Sequence, residues 1–252
     1  LWNMSAETTY TYRLSTCDDT LHSDWQHFTT DALPVDFPPV DLTAATDEFE
    51  TKYVLAQARS DDYQVVMLVD ATGDVRWYHT DTKFQAIGWD PAGRVLYENS
   101  HNDFKSIWLD GTSGSHWRYG EDLVHRLHHE VFHQDGKDYL LTALRYPQAE
   151  YSDYIIDGMV AMDPQTAVVS EYWDMRFAYP DPTLLGKQTP GGFWENDFDP
   201  GGEDTTIDWA HSNSLSLDIN GNYLLSCRIL GEEGHQGRII LVDKTSGELI
   251  WE

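Results

Sequence analysis

Residues 238–252, "RIILVDKTSGELIWE", hold an apolar strand, an aspartate-led turn and a second strand closing on tryptophan, and three further stretches follow the same plan. They are "VVMLVDATGDVRWYH" at 65–79, "SIWLDGTSGSHWRYG" at 106–120 and "GMVAMDPQTAVVSEYWDM" at 158–175. Asp70, Asp110, Asp163 and Asp243 precede Trp77, Trp117, Trp173 and Trp251 by 7, 7, 10 and 8 positions. Recurrence at one repeat position marks these tryptophans as packing residues.

Hairpins of a second class lie between the copies: "FQAIGWDPAGRVLYENS" at 84–100, "HEVFHQDGKDYLLTA" at 129–143 and "NSLSLDINGNYLLSCR" at 213–228. Each places a D-x-x-G or D-G turn between alternating strands, as a β-hairpin requires. One hairpin of each class makes a four-stranded unit. Such units cannot bury their faces alone, and their repetition predicts an all-β chain forming a β-propeller of which about four blades are present. The tryptophans are 40, 56 and 78 positions apart, uneven because of insertions. The largest insertion, 174–207, is rich in proline, glycine and acids and is expected as a long surface loop near the channel mouth.

Residues 1–32 stand outside the repeat. "TTYTYRLSTCDDTLHSDWQHFTT" at 8–30 reads as two strands around a polar turn, with Tyr10, Tyr12 and Leu14 alternating, and resembles the end of a fibronectin-III-like β-sandwich. Residues 33–50 follow as a proline-stiffened linker, and 51–252 carry the blades. The chain opens on Leu1 and closes on Trp251-Glu252 within a strand pattern, so both ends are expected to be cuts.

Sixteen Lys plus Arg stand against 43 Asp plus Glu, a net charge of −27. That field repels nucleic acid and anionic membranes, so an anionic substrate needs a local positive pocket. No apolar run reaches the length of roughly 18 residues that a membrane span needs. Cys17 and Cys227 have no metal-ligand spacing and are expected as buried free thiols.

The most informative site stretch is "DWAHSNSLSLDINGNYLLSCR" at 208–228, which sets His211 and Asn213 two apart and ends on Arg228. A structural strand would carry apolar residues at those positions. Asp208-Trp209-Ala210-His211-Ser212-Asn213-Ser214 and Ser226-Cys227-Arg228 resemble the D-W-x-H-x-N-S and S-x-R strands of the arylsulfate sulfotransferase family. Leu127-His128-His129-Glu130 is similar to that family's H-H-D strand start, with glutamate in place of aspartate.

The resemblance implies a six-bladed propeller behind a small N-terminal β domain, located in the periplasm or outside the cell. It implies transfer of a sulfuryl group from an aryl sulfate to a phenolic acceptor through a sulfohistidine, without a nucleotide sulfate donor or other cofactor. His211, Arg228 and His129 are then the catalytic candidates, with Asn213 and His128 binding substrate. The family's nucleophilic histidine sits in a later blade, expected beyond residue 252.

Each residue type suits that chemistry. An arginine fork meets two oxygens of a sulfate monoester at once, and a loose transition state needs such positioned donors. Histidine can protonate a departing phenolate near neutral pH, and an amide supplies an uncharged donor. Strand alternation puts His211 with Asn213 on one face and His129 with Val131 and His133 on another. The same residues also fit blander roles: a polar pair closing a blade, a salt bridge for Arg228, one of the two adjacent histidines turned away. A noncatalytic propeller that binds a ligand or protein at its channel mouth is the competing reading.

"HEVFH" at 129–133 matches the H-E-x-x-H zinc signature literally. That site needs a helix, whereas Gln134-Asp135-Gly136 and "KDYLLTA" follow as turn and strand, which would hold the histidines about 13 Å apart. The acids Glu195, Asp197, Asp199, Glu203, Asp204 and Asp208 invite calcium, but Gly201 occupies a ligand position and the EF-hand pattern fails, leaving a solvated loop. No metal is expected.

Overall fold

The computed structural model describes residues 3–41, 52–59, 64–100, 103–118, 126–145, 154–180, 207–208, 210–231 and 234–252. The chain divides into two units, 1–84 with 109–111, and 85–108 with 112–252.

In the first unit β1 (Thr9–Tyr12) pairs antiparallel with β2 (Gln26–Thr29), so that Tyr10 faces Phe28 and their rings stack at 5.6 Å. Tyr12 and Leu14 are exposed. A three-stranded antiparallel sheet follows, of β3 (Tyr53–Arg59), β4 (Gln64–Asp70) and β5 (Val75–Thr80). The turn between β4 and β5 shows why aspartate leads these hairpins: one Asp70 oxygen accepts the backbone N–H groups of Thr72 and Asp74, and Gly73 supplies φ +88°. Burial opposes the Asp70 charge, but bonds from Thr72 and Arg76 outweigh it and hold the carboxyl at about 2. Asp163, Asp218 and Asp243 accept backbone N–H groups at their own turns in the same way.

Among the described residues the second unit contains three sheets, each with four antiparallel strands built from one hairpin of each class. The first is β6 (Ile87–Asp90), β7 (Arg94–Ser100), β8 (Asp103–Trp108) and β9 (Ser113–Arg118). The second is β10 (Arg126–Gln134), β11 (Lys137–Arg145), β12 (Tyr154–Met162) and β13 (Val169–Asp174), followed by one helical turn, α1 (Met175–Ala178). The start of β12, before its pairing with β13 begins, also takes a short parallel strand, β14 (Ile207–Asp208). The third is β15 (Ser212–Leu217), β16 (Tyr223–Gly231), β17 (Gly234–Val242) and β18 (Leu249–Trp251).

The first strands of these sheets, β6, β10 and β15, are brought together by β10, which contacts both of the others. Gly88 on β6 permits the first contact, because a Cβ there would lie 2.1 Å from the Val131 carbonyl oxygen. Between the sheets lies a continuous apolar core that includes Leu96, Phe104, Leu127, Leu141, Met159 and Leu225. Trp173 is buried in it and donates to the Gly247 carbonyl, whereas Trp251, on the outermost described strand of its sheet, is 47% exposed and does not pack as the repeat predicts.

Two further expectations are corrected. Cys227 is a buried free thiol, but Cys17 is exposed, in the segment that joins β1 to β2. The 174–207 insertion begins with the end of β13 and α1 instead of a loop, and residues 181–206, with Glu195, Asp197, Asp199, Glu203 and Asp204, lie outside the described residues. Among the described residues no helix is long and apolar enough to cross a membrane.

Candidate functional site

Two strand starts break their ladders at the same place. On β10, Leu127 pairs with Thr142 and regular pairing resumes only at Val131, so residues 128–130 form a bulge, with φ +64° at His129. On β15, Ser212 pairs with Cys227 and Ser214 with Ser226, which leaves Asn213 bulged beside His211 at φ +33°. A left-handed non-glycine residue costs about 1–3 kcal/mol, and such strain persists where the surroundings over-determine it. Bulges of this kind re-aim side chains. Here they turn two imidazoles from different sheets toward each other.

His129 Nε2 lies 3.2 Å from His211 Nε2, so one ring donates and the other accepts. The His128 ring completes the group, its centroid 5.1 Å from that of His129 and 5.9 Å from that of His211. His128 and His211 are 3% and 7% exposed, while His129 is open to solvent. The cluster is therefore buried on one side and reachable on the other.

Beneath it is Asp157, a fully buried carboxylate on β12. Its Oδ1 is 3.4 Å from His128 Nε2, and its Oδ2 accepts the backbone N–H of Ser212. Burial works against its charge, but His128, the Ser212 amide and His211 outweigh that and hold the carboxyl below the usual range. The parallel pairing of β14 with β12 brings Asp208 beside Ile155 and so delivers the chain at Ala210–Ser212 to this carboxylate. Cys227 lies behind Ser212 with its Sγ 3.5 Å from the hydroxyl, and burial pushes its thiol up to about 12, too high for a thiolate nucleophile near neutral pH.

Glu130, in the same bulge, is pushed by burial from 4.5 up to about 7. In the unfolded chain it ionises near 4.5 and in the folded protein near 7, so over that window the folded state holds the extra proton. This contribution to stability is complete below 4.5 and is lost as pH rises through 7. Glu130→Gln accordingly flattens the fall in urea midpoint across that window; a mutant with the wild-type slope would show that the carboxyl titrates normally.

The structure brings together His128, His129 and His211. It does so by bulges and not by strand alternation, which the break between Leu127 and Val131 interrupts, and neither adjacent histidine is turned away. Asn213 does not present its amide alongside His211: its Nδ2 donates to the His211 carbonyl at 2.9 Å, closing the local turn. The backbone of Arg228 pairs with Gly237, one residue beyond the Ser212–Cys227 pair, and its side chain lies outside the described ones. The zinc alternative is overturned, because 129–133 lie on strand β10, where His129 meets His211 while His133 turns to Asp138 at 2.7 Å. Asp157 was not singled out in the sequence, although an acid within the apolar run "YIIDGMVAM" signals a buried charge with a partner.

No curated protein matches the chain. Among solved structures it is similar to a europium-containing methanol dehydrogenase, at 12% identity over 80% of this chain with a TM-score of 0.47, and spans 39% of that protein's length. It is also similar to BamB from Moraxella catarrhalis, at 8% identity over 80% of this chain and 77% of the other with a TM-score of 0.31. A third is a Myxococcus xanthus glutaminyl cyclase, at 10% identity over 71% of this chain and 84% of the other with a TM-score of 0.24. Likenesses this distant carry nothing about the chemistry. The model of the arylsulfotransferase family matches residues 40–252, and the chain belongs to that family.

Proposed function

We propose that the chain is the greater part of a six-bladed propeller, preceded by the end of a fibronectin-III-like domain, that acts in the periplasm or outside the cell as an aryl-sulfate sulfotransferase. Family membership supports a sulfotransferase acting on small aromatic substrates. The observation that carries the reading is the 3.2 Å approach of His129 and His211 from separate sheets, at the end where β10 meets β15.

In this scheme a histidine nitrogen, which the family resemblance assigns to a strand beyond residue 252, attacks sulfur. The bond from sulfur to the aryl oxygen breaks as the nitrogen–sulfur bond forms, and the electron pair leaves with the phenolate. A proton held between His129 and His211 passes to that phenolate, and the acceptor phenol returns one as its oxygen takes the sulfuryl group from nitrogen. Arg228 supplies the fixed positive charge for the sulfuryl oxygens, while His128 backs the pair from the buried side and Asn213 holds the His211 turn.

The test is incubation of the full-length protein with 4-nitrophenyl sulfate, with and without phenol. The expected result is nitrophenol release that depends on phenol, with phenyl sulfate formed in equal amount. Absence of phenol-dependent release would leave a noncatalytic binding propeller as the better account.

A further inference from the structure

Asp157 is the only charged residue in the strand "YIIDGMVAM", whose other residues are apolar apart from the tyrosine at its start. An ionised carboxylate in such surroundings is expensive unless paired and hydrogen-bonded. Its two oxygens are used on two different sheets. One faces His128, next to His129 on β10 of its own sheet; the other holds the Ser212 amide, next to His211 on β15 of the following sheet. Both neighbours sit at ladder breaks, beside the residues with φ +64° and φ +33°.

We infer that Asp157 is a positioning residue that ties the two strained turns together and thereby sets the distance between the His129 and His211 rings. The inference rests on the reading of that pair as the group-transfer site. Asp157 itself touches neither the reacting oxygen nor the sulfuryl group in this scheme. Its negative charge lies 3.4 Å from His128 Nε2 and holds that ring in place, and its bond from the Ser212 amide holds the backbone of His211 in a conformation that a free chain would leave. Asparagine at this position keeps an acceptor for the Ser212 amide but removes the negative charge beside His128. Alanine removes both contacts.

Two measurements on the full-length protein test this. Asp157→Asn is expected to lower kcat about 10-fold and Asp157→Ala about 100-fold, with KM for 4-nitrophenyl sulfate changed less than about threefold. In proton NMR the wild type shows a nuclear Overhauser contact between the ring protons of His129 and His211. Asp157→Asn weakens it and Asp157→Ala abolishes it. A purely structural role would reduce the amount of folded protein while leaving kcat per folded molecule and the ring contact unchanged, and that result overturns the inference. Should the wild type lack turnover while the ring contact still depends on Asp157, the sulfotransferase reading falls and the positioning role stands. An intact contact in Asp157→Ala overturns the positioning role whatever the activity.

Discussion

Replacing His211 by alanine lowers the phenol-dependent release of 4-nitrophenol by about 10²–10⁴-fold, the range that a positioned proton donor and acceptor contributes. The size of the effect follows from geometry. His211 is nearly buried and shares a hydrogen bond with the exposed ring of His129, so a proton reaching the cluster from substrate can be held by either nitrogen. With His211 gone, His129 loses that bond and, in the proposed scheme, the departing phenolate loses its donor. Alanine also meets φ +33° less readily than histidine does, so part of any loss could come from the backbone. Asparagine separates the two causes, because it tolerates the left-handed region and has no imidazole. His211→Asn is expected to keep the wild-type urea midpoint within error and to lose activity as fully as His211→Ala. Activity near that of the wild type in the asparagine variant would assign His211 a structural role.

The division between what the sequence made legible and what it hid follows the range of the interactions. The four-stranded units were readable because their turns are local: Asp163 reaches Gln165 and Thr166, Asp243 reaches Thr245 and Ser246, and each contact spans two or three residues. The histidines were readable as polar residues where a strand should be apolar. Their arrangement was not. Alternation predicts that His129 shares a face with His133, yet the bulge at 128–130 sends His129 to His211, while His133 serves a separate ion cluster. A bulge adds one or two residues to one strand and leaves little trace in the polar–apolar pattern, because its cause is a partner strand far along the chain. Asp157 was hidden for the same reason: its contact with Ser212 spans 55 positions. Asn213 illustrates the converse, a residue of the right type whose side chain is spent on the backbone two residues before it.

The ion cluster at the other end of β10 yields the second large effect, this time on stability. Arg94, at the start of β7, is 1% exposed and donates through Nη1 and Nη2 to both oxygens of Asp138 at 2.8 and 2.6 Å, and through Nε to Asp90 at 3.1 Å. Asp138 also pairs with His133, and Ser115 accepts a further Arg94 bond at 3.2 Å. The cluster thus joins the first sheet, which carries Arg94, Asp90 and Ser115, to the second, which carries Asp138 and His133. Arg94→Met keeps most of the apolar stem but strands two buried carboxylates, and breaking such a pair from one side costs about 3–5 kcal/mol. For a chain of this size that corresponds to a fall in Tm of about 2–4 °C per kcal/mol. The cost lies in the uncompensated acids and not in the loss of attraction as such, so Arg94→Met combined with Asp90→Asn and Asp138→Leu should regain most of the stability. A single Arg94→Met variant that melts with the wild type would mean that water reaches the acids and the cluster is not sealed. Because Arg94 and Asp138 lie at the turn end of β10, away from the bulge that carries His129, the stability loss should leave kcat per folded molecule close to the wild-type value. Stability and catalysis along this one strand are then separable, with the ion cluster clamping one end and the strained histidines working at the other.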